Sequence, residues 1–293
     1  MPSVVSFKFD RLALTYLPDE PINCTGTFRT NEVIKPKEIL FNVYCVRTVD
    51  INKHNYSFDT QIQHNNDNTI LTIPIKHDFP KAIENGYNFS FQFTIPKGKG
   101  LTESIRGEYI SVDYFVEIVI KRGVFSQDLI VQKPFFIVYK TENIPKGEPV
   151  DIVMNETNIR HNTPKVKFTA KIHLPTPVAS STHPPRGSIV FVESESPVTS
   201  CTVSYARDEI ISLDRSNPQT FSNEVCRMQI IECDPPYGVE IPFVLEWVRV
   251  FVLPDIETNT FSMKTGLKVR VHFENGGYAS LVIPLKLCRT HTF

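Results

Sequence analysis

The stretch YNFSFQFTI, residues 87–95, alternates large apolar side chains with polar ones. Its apolar positions are Tyr87, Phe89, Phe91, Phe93 and Ile95. Side chains two residues apart lie on the same face of an extended chain. The pattern therefore predicts an antiparallel strand with one face on a core and the other face in water.

Two further stretches repeat this period of two, one on each side of the polar link TENIPKGEP, residues 141–149. They are ISVDYFVEIVI, residues 110–120, and KVKFTAKIHL, residues 165–174. In the first of these, the face that holds Ser111, Asp113 and Glu117 is expected to face water. No comparable stretch repeats at helical spacing. We therefore predict an all-β protein with two tandem β-sandwich domains, residues 1–141 and 149–293.

The charge and the apolar stretches of the chain restrict its partners. The formal net charge of −1 argues against nucleic acid as the main partner, because phosphate binding needs a basic face. Lys8, Asp10 and Arg11 interrupt the first apolar stretch, so we expect no secretory signal. Residues 241–253 include Glu246 and are too few to cross a bilayer. A cytoplasmic protein that meets membranes only through partners is expected.

The residue types that carry catalysis do not occur in recognisable patterns. The six cysteines form no CxxC pair, and the eight histidines form no HxH or HExxH pattern. GxSxG, P-loop and GxGxxG motifs are absent from the sequence. We therefore predict no catalytic residue, no cofactor and no metal. An enzyme or a small-molecule carrier on a β scaffold stays open, because a fold alone excludes neither.

Several stretches resemble those of a known family. YLPDEPINCTGTF, residues 16–28, is similar to its first hairpin, with Asp19 where glycine is usual, and PPRGSIVFVESES, residues 184–196, is similar to a later hairpin with Gly187 at the turn. The remaining stretches are residues 91–122, PFFIVY (134–139), IIECDPPYGVEIPF (230–243), RVFVLPDIETNTF (249–261) and PLKLCR (284–289). The chain resembles the arrestin-like proteins and, among them, the small-subunit family of the endosomal complex retromer. It is most similar to the branch found in retriever, the retromer-like part of the Commander complex.

This resemblance implies a non-catalytic adaptor with two arrestin-like β-sandwiches, located in the cytoplasm at the periphery of endosomes. Its second domain would dock on a helical-solenoid subunit of retriever that resembles the large retromer subunit. A sorting nexin and further Commander subunits would be indirect partners in cargo recycling. A retromer small subunit and another arrestin-related cargo adaptor remain alternatives. The Pro-Pro-Tyr triplet at residues 235–237 is interpreted as a turn.

The resemblance also places a partner-binding loop at residues 230–238. In a regular strand Ile230 and Ile231 point to opposite faces, so only one enters the core and the other is exposed to anchor the partner. The alternative is that both isoleucines pack in the core. The predicted partner-binding residues are Ile230, Ile231, Cys233, Asp234 and Arg249, the last either paired with an acidic solenoid residue or solvated.

Overall fold

The structure, a computed structural model, describes residues 4–49, 62–98, 100–122, 127–141, 143–159, 161–163, 166–180, 182–212, 217–246 and 255–289. Every regular element in these ranges is a β-strand. Contacts divide the chain into two compact units, the first ending at Tyr139 and the second beginning at Lys140. Each unit holds two principal sheets. The prediction of an all-β protein with two tandem β-sandwiches is confirmed.

In the described part of the first unit, one sheet has three strands and the other has six. The smaller sheet has the order β1-β3-β6, and the larger has the order β2-β9-β8-β4-β5 with β7 beside β8. The strands are β1 (Val4–Phe9), β2 (Thr15–Tyr16), β3 (Pro21–Arg29), β4 (Glu38–Val49), β5 (Thr69–Pro74), β6 (Asn88–Thr94), β7 (Ile105–Arg106), β8 (Ile110–Lys121) and β9 (Leu129–Ile137).

Phenylalanine rings from both sheets fill the core of the first unit. Phe89, Phe91 and Phe93 of β6 are buried while the residues between them are exposed, which confirms the alternation predicted for this strand. The Phe91 ring meets the ring of Phe41 on β4 edge-on, with 4.7 Å between centroids. Edge-to-face contacts of this kind add to the free energy of burying the rings.

Strand β8 is buried on both faces, so the prediction of one water-facing side is wrong for this strand. Phe115 and Glu117 are at most 5% exposed. The segment before β5 lies over them, with 5.7 Å between the ring centroids of His64 and Phe115. The Glu117 carboxylate accepts a hydrogen bond from Gln132 Nε2 at 2.8 Å and lies 3.1 Å from His64 Nε2. These partners offset the cost of burying the carboxylate.

The described part of the second unit combines a four-stranded and a seven-stranded sheet. Their orders are β10-β12-β14-β17 and β11-β20-β19-β15-β16, with β13 beside β20 and β18 beside β19. The strands are β10 (Val150–Asn155), β11 (His161–Thr163), β12 (Phe168–Leu174), β13 (Val178–Ser180), β14 (Arg186–Ser194), β15 (Val198–Ile211), β16 (Gln219–Ile231), β17 (Glu240–Val244), β18 (Ile256–Glu257), β19 (Phe261–Phe273) and β20 (Tyr278–Cys288). Side chains from both sheets form one apolar core.

The two hairpin residues singled out in the sequence have different outcomes. Asp19 has a φ of 62°, so it takes the left-handed conformation expected of a residue that stands in place of glycine. Gly187 does not lie at a turn but inside β14. A side chain there would strike the backbone oxygen of His173 and the ring of Phe243, so close strand packing explains this glycine.

Candidate partner-binding loop

The candidate loop joins the end of β16 to the start of β17, residues 232–239. Strand β16 belongs to the seven-stranded sheet and β17 to the four-stranded sheet, so the loop crosses from one layer of the second sandwich to the other. Cys233, Asp234, Tyr237 and Val239 are exposed along it. Loops at the end of a sandwich are common positions for binding residues, because the sheets hold their bases rigidly.

A β-bulge changes the expected placement of the two isoleucines. Gln229 pairs with Thr202 of β15 and Ile231 pairs with the adjacent Cys201, which leaves Ile230 as the extra residue on β16. Ile231 belongs to the apolar core, and Ile230 is half-buried against that core. Both therefore contact the core, and the expectation of one fully exposed isoleucine is wrong.

Hydrogen bonds hold the backbone of the loop in place. The Asp234 carboxylate accepts hydrogen bonds from the backbone N–H of Val198 at 2.9 Å and from the Tyr237 hydroxyl at 3.3 Å. The N–H of Gly238 donates to the Phe191 carbonyl at 2.7 Å. Gly238 has a φ of 76°, which favours glycine. Pro235 is buried beneath the loop.

These contacts present apolar surface from a restrained turn. Tyr237 and Val239 are 40% and 49% exposed, whereas Ile231 is 7% exposed and Ile230 is half-buried. Burial raises the pKa of Tyr237, and the neighbouring Asp234 carboxylate raises it further, so its hydroxyl stays protonated as a donor. Arg249, the last predicted contact residue, lies outside the described residues.

A second polar arrangement, not predicted from the sequence, lies on the outer face of the seven-stranded sheet. The Glu224 carboxylate on β16 contacts Arg227 on the same strand, and Lys268 and Arg270 on β19. A signal was present in KVRVH, residues 268–272, where basic residues alternate with buried valines. Only the sheet register brings Glu224 to them.

The described ranges also bear on the requirements for reactive thiols, metal sites and membrane-spanning helices. Burial raises the pKa of the Cys24, Cys45 and Cys201 thiols to about 12 in each case. No group of three or more His, Cys, Asp or Glu residues in these ranges is placed to hold a metal ion. Among the same residues there is no helical segment with the length and apolar character needed to cross a bilayer.

No protein-family model matches the chain.

Proposed function

We propose that this protein is a non-catalytic adaptor subunit of a retriever-type assembly in endosomal cargo recycling. Its second β-sandwich docks on a helical-solenoid subunit through the loop at residues 232–239 and the adjoining end of β16. The observation that carries the proposal is apolar surface on a restrained turn, where Tyr237 and Val239 are exposed beside the anchored Asp234. Tyrosine is among the residues that dominate binding energy at protein interfaces.

A restrained loop also lowers the entropic cost of docking. A flexible loop loses conformational freedom on binding, whereas one already held by side-chain and backbone hydrogen bonds loses less. Ile230, half-buried at the base of the loop, adds a further aliphatic contact. In this proposal a sorting nexin and other Commander subunits connect the assembly to cargo and membrane, so the chain itself stays cytoplasmic at the endosome surface.

Pull-down with purified solenoids tests the proposal and separates the branches. The immobilised chain is expected to capture the retriever-type solenoid and not the retromer-type solenoid. Capture of the retromer solenoid instead would favour a retromer small subunit. Capture of neither would refute docking on a solenoid.

Single variants then test the loop itself. Ile230→Asp is expected to keep the Tm near that of the wild type and to lose the solenoid, because Ile230 is only half-buried. Ile231→Asp is expected to cost about 3 kcal/mol or more, since it places a charge in the core. Val153→Asp, at an exposed apolar position of β10, is the matched control and should keep both properties. If Ile230→Asp loses the partner only together with its fold, Ile230 belongs to the core and is not part of the docking surface.

A further inference from the structure

The polar arrangement around Glu224 has more positive than negative charge. Its members, here called the basic cluster, are Arg227, Lys268 and Arg270 with Glu224. Lys268 Nζ lies 2.8 Å and Arg270 Nη2 lies 2.5 Å from Glu224 Oε1, and Arg227 Nη2 lies 2.5 Å from Glu224 Oε2. One carboxylate therefore faces three cations, and the cluster has an excess of two positive charges.

The register of the sheet explains how these side chains meet. Lys268 lies opposite Ser204 on β15, which in turn lies opposite Arg227 on β16. Two residues further along β15, Ala206 lies opposite Glu224 on β16 and opposite Gly266 on β19. Because small residues occupy the central strand, the long charged side chains converge above them, and Ser204 is only 2% exposed beneath.

Two buried polar atoms beside the cluster have unused hydrogen-bonding capacity. Ser280 lies directly opposite Arg270 across the β19–β20 pair, so the two side chains share the outer face. Ser280 is 1% exposed, and neither its Oγ nor Arg270 Nε has a hydrogen-bond partner among the described residues. Buried polar atoms of this kind are usually satisfied, so each exception calls for an explanation.

The side chains of Tyr278 and His272, next to the cluster, lie in the same positive electrostatic environment. Arg270 lies over the Tyr278 ring, 5.5 Å from its centroid. Burial lowers the pKa of His272, and the positive charges of Arg270 and Arg227 lower it further. His272 therefore stays neutral in a field that disfavours additional positive charge. Binding of an anion to the cluster is therefore favoured.

We propose that the basic cluster is a docking site for an acidic peptide segment in an extended conformation. The incoming carboxylates would contact the three cations in competition with Glu224. Because Arg270 Nε and Ser280 Oγ are buried, they would donate to a peptide oxygen only after the Arg270 side chain shifts on binding. The carboxylate of Glu224 already shows that the cations can chelate this group. Charge complementarity of this kind mainly sets specificity and the rate of association.

The spacing of the cations favours a peptide over a single phosphate group. Lys268 and Arg270 are two residues apart on one strand, or about 7 Å between Cα atoms. Lys268 and Arg227 are separated by two strand spacings, or about 10 Å. Alternate side chains of an extended peptide have the same 7 Å repeat, whereas the oxygens of one phosphate span only a small part of it.

Fluorescence anisotropy of the full chain at low salt tests the proposal. The probe is a labelled 12-residue peptide of alternating Glu and Ser, and the control peptide has Gln in place of Glu. Only the Glu peptide is expected to bind, and added salt should weaken it. Arg227→Gln should weaken binding about tenfold with only a small loss of Tm, because the Arg227 side chain is half-exposed. Lys171→Gln on the exposed side of β12 makes the same charge change away from the cluster and should bind like the wild type.

Glu224→Gln should change the peptide affinity in the opposite direction to Arg227→Gln. Removing the internal carboxylate should tighten binding of the Glu peptide, whereas a purely structural ion network predicts no gain. Equal binding by the wild type and Arg227→Gln would overturn the proposal, even if Glu224→Gln did not fold. Displacement of the peptide by equimolar inorganic phosphate, or binding to phosphatidylserine vesicles without peptide binding, would also overturn it and assign the cluster to phosphate. The inference does not rest on the adaptor proposal, because no solenoid enters the experiment.

Discussion

The carboxylate of Asp234 accepts a hydrogen bond from the backbone N–H of Val198, 36 residues earlier, at 2.9 Å. This contact attaches the loop between β16 and β17 to the first residue of β15. Val198 is itself 1% exposed and belongs to the apolar core. An exposed acidic side chain thus connects the candidate docking loop to the apolar core of its domain, which links loop geometry to folding stability.

Asp234→Ala should reduce stability by about 1–3 kcal/mol, because the N–H of Val198 loses its acceptor. Asp234→Asn is the matched control, since its amide oxygen can accept the same hydrogen bond. Urea denaturation of both variants gives the free energy of unfolding. Equal losses in the two variants would mean that the negative charge, rather than the hydrogen bond, is the important feature.

Gly187→Ala should destabilise the second domain by about 1–3 kcal/mol, because a methyl group would strike the His173 carbonyl and the Phe243 ring. Gly98→Ala is the control. An added Cβ there would lie 3.9 Å from Leu101 Cδ1, which is an ordinary van der Waals contact, and should be tolerated. Thermal unfolding followed by circular dichroism measures both effects, and an unchanged Tm in Gly187→Ala would contradict the packing explanation.

Glu224 should make stability depend on acid pH. Burial alone would raise its pKa, but hydrogen bonds from Lys268 and Arg227 and the charges of Lys268 and Arg270 outweigh burial and hold the pKa at about 2. Because this pKa is below the usual 4.5, the stabilisation is fully present above about pH 4.5 and is lost as the pH falls toward 2.

The comparison of wild type with Glu224→Gln isolates this contribution. The variant should be less stable by about 1–2 kcal/mol at neutral pH, and the difference should shrink as the pH falls below about 4. Chemical denaturation at a series of pH values measures it. A difference that is constant across the series would show that the ion pairs do not stabilise the fold.

Thiol labelling should distinguish the six cysteines. Cys233 is exposed and should react with iodoacetamide first at about pH 8. Cys24, Cys45 and Cys201 should be protected in the folded protein, because they are buried and their thiol pKa values are about 12. Mass spectrometry locates the label, Cys233→Ser removes the fast site, and urea should expose all positions. Fast labelling of Cys201 in the native protein would contradict the described core.

The strand alternation made the core of both domains predictable. In β6 and β12 the apolar residues chosen from the period of two are the buried ones. This succeeds because each of these strands has one face on a core and one in water, so side-chain polarity alone reports the direction. The left-handed backbone of Asp19 also agrees with a local preference, since Asp tolerates this conformation better than most residues.

Pairing between distant strands and segments decided the burial of residues that the alternation of side chains did not predict. The bulge opposite Cys201 and Thr202 leaves Ile231 in the core and Ile230 half-buried against it, and nothing in the two isoleucines themselves indicates a register shift. Glu117 is buried because a distant segment lies over its strand.

The local sequence therefore determined the strand periodicity, the all-β class and the two tandem sandwiches, and it permitted the left-handed conformation at Asp19. Only the tertiary structure decided the convergence of Glu224 with Lys268 and Arg270 and the anchoring of Asp234 to Val198. The physical reason is that a period of two depends on neighbouring residues, whereas these contacts join residues 36 to 46 positions apart. Their energies depend on sheet register, which the complete fold sets.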